Sequence, residues 1–465
     1  MHNRLIGSRV FYRRVLAVAV PIMVQNAITN FVSLLDNVMI GQVGTVEMSG
    51  VAIANQLLFV FNLLVFGAVA GAGIFGAQFF GNNDMNGVRY TFRFKIIICT
   101  LLAALCIGIL VAFGPDLIHL YLQGEGSAED AAASLHFGRQ YLTVMYAGMI
   151  PYAIAQAYAA TLRETGETVL PMKAGIIAVL VNLLFNYILI FGHFGAPRLG
   201  VLGAAVATVL SRFVELVIVA GWTHRHFERF PYIIGALRSF HIPSRLFWDI
   251  VRRGTPLLLN EGLWAAGMAM LNQCYSIRSL DVVAATNISS TIWNMFACVY
   301  LAMGSAIGIL VGQELGAGEF EKAKATARQM TAFSVALSVA IGVLLAAAGD
   351  FFPQLYVTTD AVRHLATSFI LVGACMMPFS AMTNALYFTL RAGGKTIVTF
   401  LFDSAFVWSI NIPVAYVLSR YTSMPILTLY ACCQSLEIIK CVIGVIMVKK
   451  GIWIHNIVAD KKETE

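Results

Sequence analysis

Charge is what this sequence has least of. Asp, Glu, Lys and Arg make up 12% of its 465 residues, about half the share of an ordinary soluble domain, near 25%. That is too little to cover a soluble surface of this size. Cysteine is sparse and unpatterned: Cys99, Cys106, Cys274, Cys298, Cys375, Cys432, Cys433 and Cys441 form no C-x-x-C pair and no Cys/His metal spacing. Most lie in apolar runs, where cysteine packs as a small hydrophobe. The nine histidines are dispersed mainly between those runs. No clustered His/Asp/Glu set, nucleophile–base pair or glycine-rich phosphate loop is present, which argues against a membrane-embedded enzyme. No metal or cofactor is called for.

What the chain does have is length without charge. Hydrophobic residues reach 59% and the mean hydropathy is +0.78. A helix needs roughly 20 apolar residues to cross the hydrocarbon core, and charge-poor runs of that length recur about twelve times. The fold class expected is therefore an all-α polytopic membrane protein of about twelve transmembrane helices. The basic N-terminus leads into the first span and is not a cleaved signal, because the apolar stretch behind it is too long and more spans follow.

Of 31 Lys and Arg, only Arg139, Arg198, Arg278, Arg363 and Arg420 fall in segments that a twelve-span count puts outside. Arg212 lies within a span. The others, from Arg4 to Lys461 and Lys462, fall on the opposite side, so the positive-inside rule places both termini in the cytoplasm of a plasma (inner) membrane. The net charge of +7 is thus an orientation signal and not a nucleic-acid patch.

The chain also repeats itself. A shift of 235 positions lays Gly73-Ile74, Gln78 and Gly81 on Gly308-Ile309, Gln313 and Gly316, Pro21 on Pro256, Asn37 on Asn272 and Arg93 on Arg328. A shift of 228 lays Thr161-Leu162-Arg163 with Gly166 and Thr168 on Thr389-Leu390-Arg391 with Gly394 and Thr396. The halves are 1–222 and 252–465, each a six-helix lobe, joined by a basic cytoplasmic linker over 223–251. Six spans per half make this a parallel, pseudo-symmetric repeat. Two sister bundles around a central cavity suit alternating access, although duplicated halves can also be inherited packing.

The order and spacing of these motifs resemble the multidrug and toxic compound extrusion (MATE) family. The N-terminal half carries Pro21, the stretch LLDNVMIGQVGT around Asp36, VAIANQL, Gly76-Ala-Gln78-Phe-Phe-Gly81 and, over 181–192, VNLLFNYILIFG. The C-terminal half carries Pro256-LLLNEGLWAAGM and Val311-Gly312-Gln313-Glu314-Leu315-Gly316. The resemblance runs through nearly all of residues 10–455. It implies an antiporter that exports organic cations or other small amphipathic compounds, driven by inward H⁺ or Na⁺. A lipid-linked oligosaccharide flippase of the same superfamily ranks below it, because such proteins carry more spans and a conspicuously basic cavity. A channel would carry flux without an ion gradient. Nothing demands more than a monomer.

A charge at mid-membrane costs about 2.5–3.5 kcal/mol on insertion scales, so each one needs a partner or a task. Asp36 lies deep in the first span, where the resemblance implies a cation-coupling acid. A carboxyl withdrawn from water resists ionisation, and such a group can exchange a proton near neutral pH. The alternative is a carboxyl kept neutral by hydrogen bonds to Asn182 or Asn186, which sit one turn apart on one helix face. Many relatives have an acid where Asn186 stands, so Asp36 is the single obvious acid of its lobe; Asn182 and Asn186 are cation-coupling candidates beside it, as Na⁺ ligands or as hydrogen-bond donors to Asp36, against a role in helix packing. Glu261 and Asp403 are candidates for substrate or ion binding in the second half, against structural hydrogen bonding for the first and simple solvation for the second. Arg212 with Glu215, and Glu437 with Lys440, sit at i, i+3 and suggest local ion pairs; a substrate-facing role stays open for either acid. Trp264 and Trp293 are candidate cavity aromatics, since ring faces attract organic cations. Pro21 and Pro256, at matched places, are candidate hinges or static kinks.

Overall fold

The structure, a computed structural model, describes residues 5–122, 128–356 and 358–459. Arg4, Lys461 and Lys462 lie outside the described residues, as does the side chain of Asn37. Among the described residues there is no strand, and twelve long helical segments follow one another: α1 (Arg9–Gly41), α2 (Thr45–Gly81), α3 (Met85–Leu122), α4 (Ala128–Glu164), α5 (Val169–Phe191), α6 (Val201–Arg225), α7 (Ser244–Ser276), α8 (Leu280–Gly316), α9 (Phe320–Ala347), α10 (Asp360–Ala392), α11 (Thr396–Tyr421) and α12 (Ile426–Lys449). All but α4 and α7, ten among the described residues, are apolar enough over an 18-residue stretch to cross a membrane by composition alone. In α4 and α7 charged and polar residues dilute the apolar ones, Asp249, Arg252, Arg253, Asn260 and Glu261 in α7 for instance.

The helices wear large apolar side chains outward. On α3, Leu101 and Leu105 are 59% exposed, and on α9 Val343 and Leu344 are 64% exposed. Such surfaces need a hydrocarbon solvent. Helix ends are set by short polar turns. Ser279 and Thr359 cap α8 and α10, each side chain accepting a bond from a backbone N–H three residues on at 3.3 Å.

The repeat is visible in backbone conformation. Asn83, after α2, and Gly318, after α8, are related by the 235-residue shift, and both are left-handed, with φ of 56° and 77°. Gly166 and Gly394, related by 228, have φ of 87° and 73°. Glycine adopts this conformation without a Cβ penalty, so each half ends its second and fourth helices the same way.

By packing, the described chain gathers into two compact units whose bounds differ from the repeat halves. The N-terminal unit comprises Val24–Gly76 and Met85–Ile250. Its core is built on Phe61, Met145, Met149, Ile190 and Ala204. The segment 223–251 is docked on it: the Arg93 guanidinium donates to the carbonyls of Ala236 (2.9 Å), His241 (2.9 Å) and Gly235 (3.0 Å), and Arg89 Nε to that of Tyr232 (3.1 Å). Inside the unit the fully buried Lys95 is ion-paired with Glu164 and also donates to Thr161 Oγ1 at 3.1 Å.

The C-terminal unit starts at Val251 and also takes in α1 up to Met23 and Ala77–Asp84. In it α2 and α8 meet through repeat-related residues. A Cβ on Gly81 would lie 1.9 Å from the Gln313 carbonyl oxygen, and one on Gly316 would lie 1.9 Å from that of Gln78. Only glycine permits this approach. The Gln78 amide donates to the Ala392 carbonyl at 2.9 Å and accepts from the Ile457 N–H at 2.9 Å, fastening the tail to the same place. Arg14 reaches Glu314 at 2.8 Å.

Candidate functional site

In the N-terminal unit the sequence candidates come together. Asn186 Nδ2 on α5 donates to Asp36 Oδ1 on α1 at 2.7 Å. Asn182 lies one turn earlier on the same face. With its amide turned so that nitrogen faces the carboxylate, it donates to Asp36 Oδ1 at 3.0 Å and Oδ2 at 3.1 Å, while its oxygen accepts from Thr208 Oγ1 on α6 at 3.1 Å. Asn182 and Asn186 are buried. Tyr141, a buried residue of α4, lies beside Thr208 and Asn55. The acid is thus held by neutral donors on α5, with no hydrogen-bonded cation among the described residues. Thr208, Tyr141 and Asn55 were not flagged by sequence. Each is an unremarkable polar residue on its helix, and only tertiary packing brings them to Asp36.

One turn beyond Thr208 on α6, Arg212 stacks its guanidinium 4.3 Å above the Tyr152 ring, and its buried Nη1 has no hydrogen-bond partner among the described residues. The expected i, i+3 ion pair with Glu215 does not form. Glu215 lies in the field of Arg212 and Arg163, but the guanidinium is drawn to the aromatic face of α4 instead, where stacking suits its planar, weakly hydrated group.

The C-terminal unit has its own polar interior, differently furnished. Asp403 sits on α11 where the helix is wound in π-type turns over Leu401–Ala405 and again over Val407–Asn411, a winding found most often at functional places. Lys440 Nζ on α12 donates to Asp403 Oδ1 at 2.6 Å. Asn260 Nδ2 on α7 donates to Asp403 Oδ2 at 3.0 Å and to the Tyr387 hydroxyl at 3.3 Å, and Ser404 Oγ donates back to Asn260 Oδ1 at 2.7 Å. The expected local pair of Glu437 with Lys440 is therefore replaced. Lys440 reaches across to α11, and Glu437 accepts the Thr383 hydroxyl of α10 at 2.5 Å. The reason is position on the helix: both partners are served better by neighbouring helices than by each other. Asp403 is only 15% exposed at its side chain, so it is not merely solvated. Glu261 lies in the combined field of Arg391 and Asp403.

The remaining candidates stand apart from these networks. Trp264 is 39% exposed. Trp293 packs against Gly373 and within 6.3 Å of the Tyr300 ring, as part of an apolar cluster with Ile370 and Met377. Pro21 and Pro256 lie inside continuous α1 and α7. No group of three or more potential metal ligands exists among the described residues.

Two buried carboxylate networks, one per unit, on a duplicated twelve-helix frame define the arrangement, and the MatE family model matches residues 21–188 and 260–417, one block in each half. The chain belongs to the MatE family. It is similar to a probable multidrug resistance protein NorM of Thermotoga maritima, 25% identical over 419 residues that cover 89% of this chain and 87% of that one. It is also similar to a probable multidrug resistance protein YoeA of Bacillus subtilis, 21% identical over 410 residues covering 88% and 87%. Among solved structures, a MATE complex with MaL6 superposes with a TM-score of 0.84 at 17% identity, covering 96% of this chain and 97% of that one. An outward-facing multidrug resistance MATE family transporter of the MOP superfamily gives 0.82 at 18% identity, covering 99% and 98%. The fold of this MatE protein is thus the multi-pass helical fold of the MATE structures it superposes on.

Proposed function

We propose that this MatE protein is an exporter of small amphipathic or cationic compounds in the plasma membrane, working by alternating access as an antiporter against inward H⁺ or Na⁺. The names of its relatives support the efflux reading. The observation that carries the coupling is the Asp36 carboxylate, bound by Asn186 at 2.7 Å and by no basic residue among the described residues. An intramembrane acid without a counter-ion is a place where a cation can come and go. Its neutral amide and hydroxyl surroundings lean the choice toward H⁺, because a proton needs one carboxyl whereas Na⁺ is better served by more oxygen charge. Asn186 cannot titrate, so Asp36 carries the exchange in its unit.

The test is efflux of a fluorescent cation from proteoliposomes with a pH gradient or a Na⁺ gradient imposed separately. Uphill export is expected with the pH gradient and is expected to vanish in Asp36→Asn. Wild-type coupling in Asp36→Asn overturns the assignment, and export driven by Na⁺ alone overturns the choice of ion.

A further inference from the structure

The two units treat their buried acids in opposite ways. Asp36 has neutral partners only. Asp403 has an ammonium: Lys440 Nζ lies 2.6 Å from Oδ1, with the lysine side chain 9% exposed. Burial works against a charge on that ammonium, and the acidic and aromatic groups around it offset the cost. The Phe402 ring centroid is 5.4 Å away, a distance at which a ring face attracts a cation. Glu437, one turn back on α12, adds a second negative field. The rest of the site is already closed. Asn260 occupies Asp403 Oδ2, and Asn260 in turn is held by Ser404 and Tyr387. The π-type winding of α11 places Asp403 and Ser404 side by side in this network. Lys440 and Arg212 are related by the same 228-residue shift that relates the Thr-Leu-Arg anchors. Both halves therefore carry a basic residue at this position of the sixth helix. In one unit it stacks on Tyr152 and leaves the acid alone; in the other it caps the acid.

We infer that the Lys440 ammonium is a tethered stand-in for a monovalent coupling cation, which keeps the C-terminal unit permanently in a cation-occupied state. A carboxylate buried among helices needs a positive partner. Where a free ion fills that need, occupancy follows ion concentration; where a side chain fills it, occupancy is fixed. The C-terminal unit then contributes a rigid counterpart, and ion exchange is confined to the unit that holds Asp36. The inference rests on cation coupling as proposed above. Its test measures ion binding and not transport, so either can fail without the other.

The experiment compares melting of the full-length protein in detergent in NaCl and in choline chloride at equal ionic strength. Wild type is expected to melt at the same temperature in both. Lys440→Met empties the ammonium position and leaves Asp403, and should melt higher in NaCl by about 1–3 °C, rising with the logarithm of Na⁺ concentration. In Lys440→Met with Asp403→Asn the salt response should vanish. A folded Lys440→Met without a Na⁺ response overturns the inference. So does a wild-type Na⁺ response that Asp403→Asn removes. With the eight native cysteines replaced, Lys440→Cys provides a second route: the variant should respond to Na⁺, and the response should be lost once aminoethyl methanethiosulfonate, releasing methanesulfinate, converts the thiol to an aminoethyl disulfide that restores an ammonium. If neither single variant folds even in NaCl while the double variant does, a free ion does not replace the lysine, and the inference is wrong.

Discussion

At the scale of single residues, what distinguishes this protein is which buried charges are paired. Lys95 and Glu164 form a closed pair at the foot of α3 and α4. The Glu164 carboxylate occupies the space beside Gly73 and Gly76, where added Cβ atoms would come within 2.7 Å and 2.1 Å of it. Removing one member of a buried pair leaves the other uncompensated and typically costs about 3–5 kcal/mol, whereas removing both costs much less. Lys95→Met is therefore expected to lower the melting temperature sharply, and Lys95→Met combined with Glu164→Gln should recover most of the loss. A double variant whose loss equals the sum of the Lys95→Met and Glu164→Gln losses would show that the pair has no coupling. Asp36 is a different kind of residue. Its partners are amides that stay in place when the carboxyl is neutral, so Asp36→Asn should fold and melt near wild type while losing uphill export. A cleanly folded, inactive Asp36→Asn, checked by melting alongside efflux, separates function from stability at this residue.

At the scale of elements, the reciprocal crossing of α2 and α8 makes the sharpest demand on sequence. Gly81 faces the Gln313 carbonyl, and Gly316 faces that of Gln78, each 1.9 Å from where a Cβ would stand. Neither carbonyl can retreat without moving a helix. Gly81→Ala and Gly316→Ala are each expected to lower the melting temperature and the folded yield in detergent, and the two should not be additive because they loosen one crossing. Wild-type melting of both variants would mean that the helices do not meet so closely. These elements also show how much was legible beforehand. The twelve spans followed from charge-poor runs, and the glycine pairs followed from the repeat, because both are one-dimensional patterns. Even α7, too polar for hydropathy alone, is fixed by the repeat and by the sidedness of lysine and arginine. Asn182 and Asn186 were legible as one face of α5. Two things were not legible: the π-type turns of α11 and the partners of Lys440. The first depends on packing, since nothing in Leu401–Asn411 but the nearby Pro413 breaks an α-helical pattern. The second is a contact between residues 37 apart, and the i, i+3 spacing of Glu437 pointed to the wrong acid. The same holds for Thr208 and Tyr141, which a sequence presents as ordinary helix residues.

At the scale of the whole molecule, the open question is which face of the membrane each loop meets, and the distribution of basic residues gives a definite expectation. The segment 223–251 carries Arg225, Arg229, Arg238 and Arg245 and should lie in the cytoplasm, while the α5–α6 connection, with Arg198 alone, should lie outside. The structure provides a reporter in each that can be changed without disturbing a network. Ser239 is exposed in the docked segment, where its hydroxyl accepts one exposed local bond, from the His241 N–H at 3.2 Å, and Phe194 is 86% exposed between α5 and α6. In a background with the eight native cysteines replaced, Phe194→Cys should react with a membrane-impermeant maleimide in intact cells, and Ser239→Cys should react only after permeabilisation. The reverse pattern would invert the molecule. An inverted molecule would break the positive-inside rule for nearly every basic residue in the chain. An antiporter exchanges its ion and substrate in opposite directions whichever way it is inserted, so the cation gradient sets efflux, and the labelling pattern decides which end of the molecule takes up substrate from the cytoplasm.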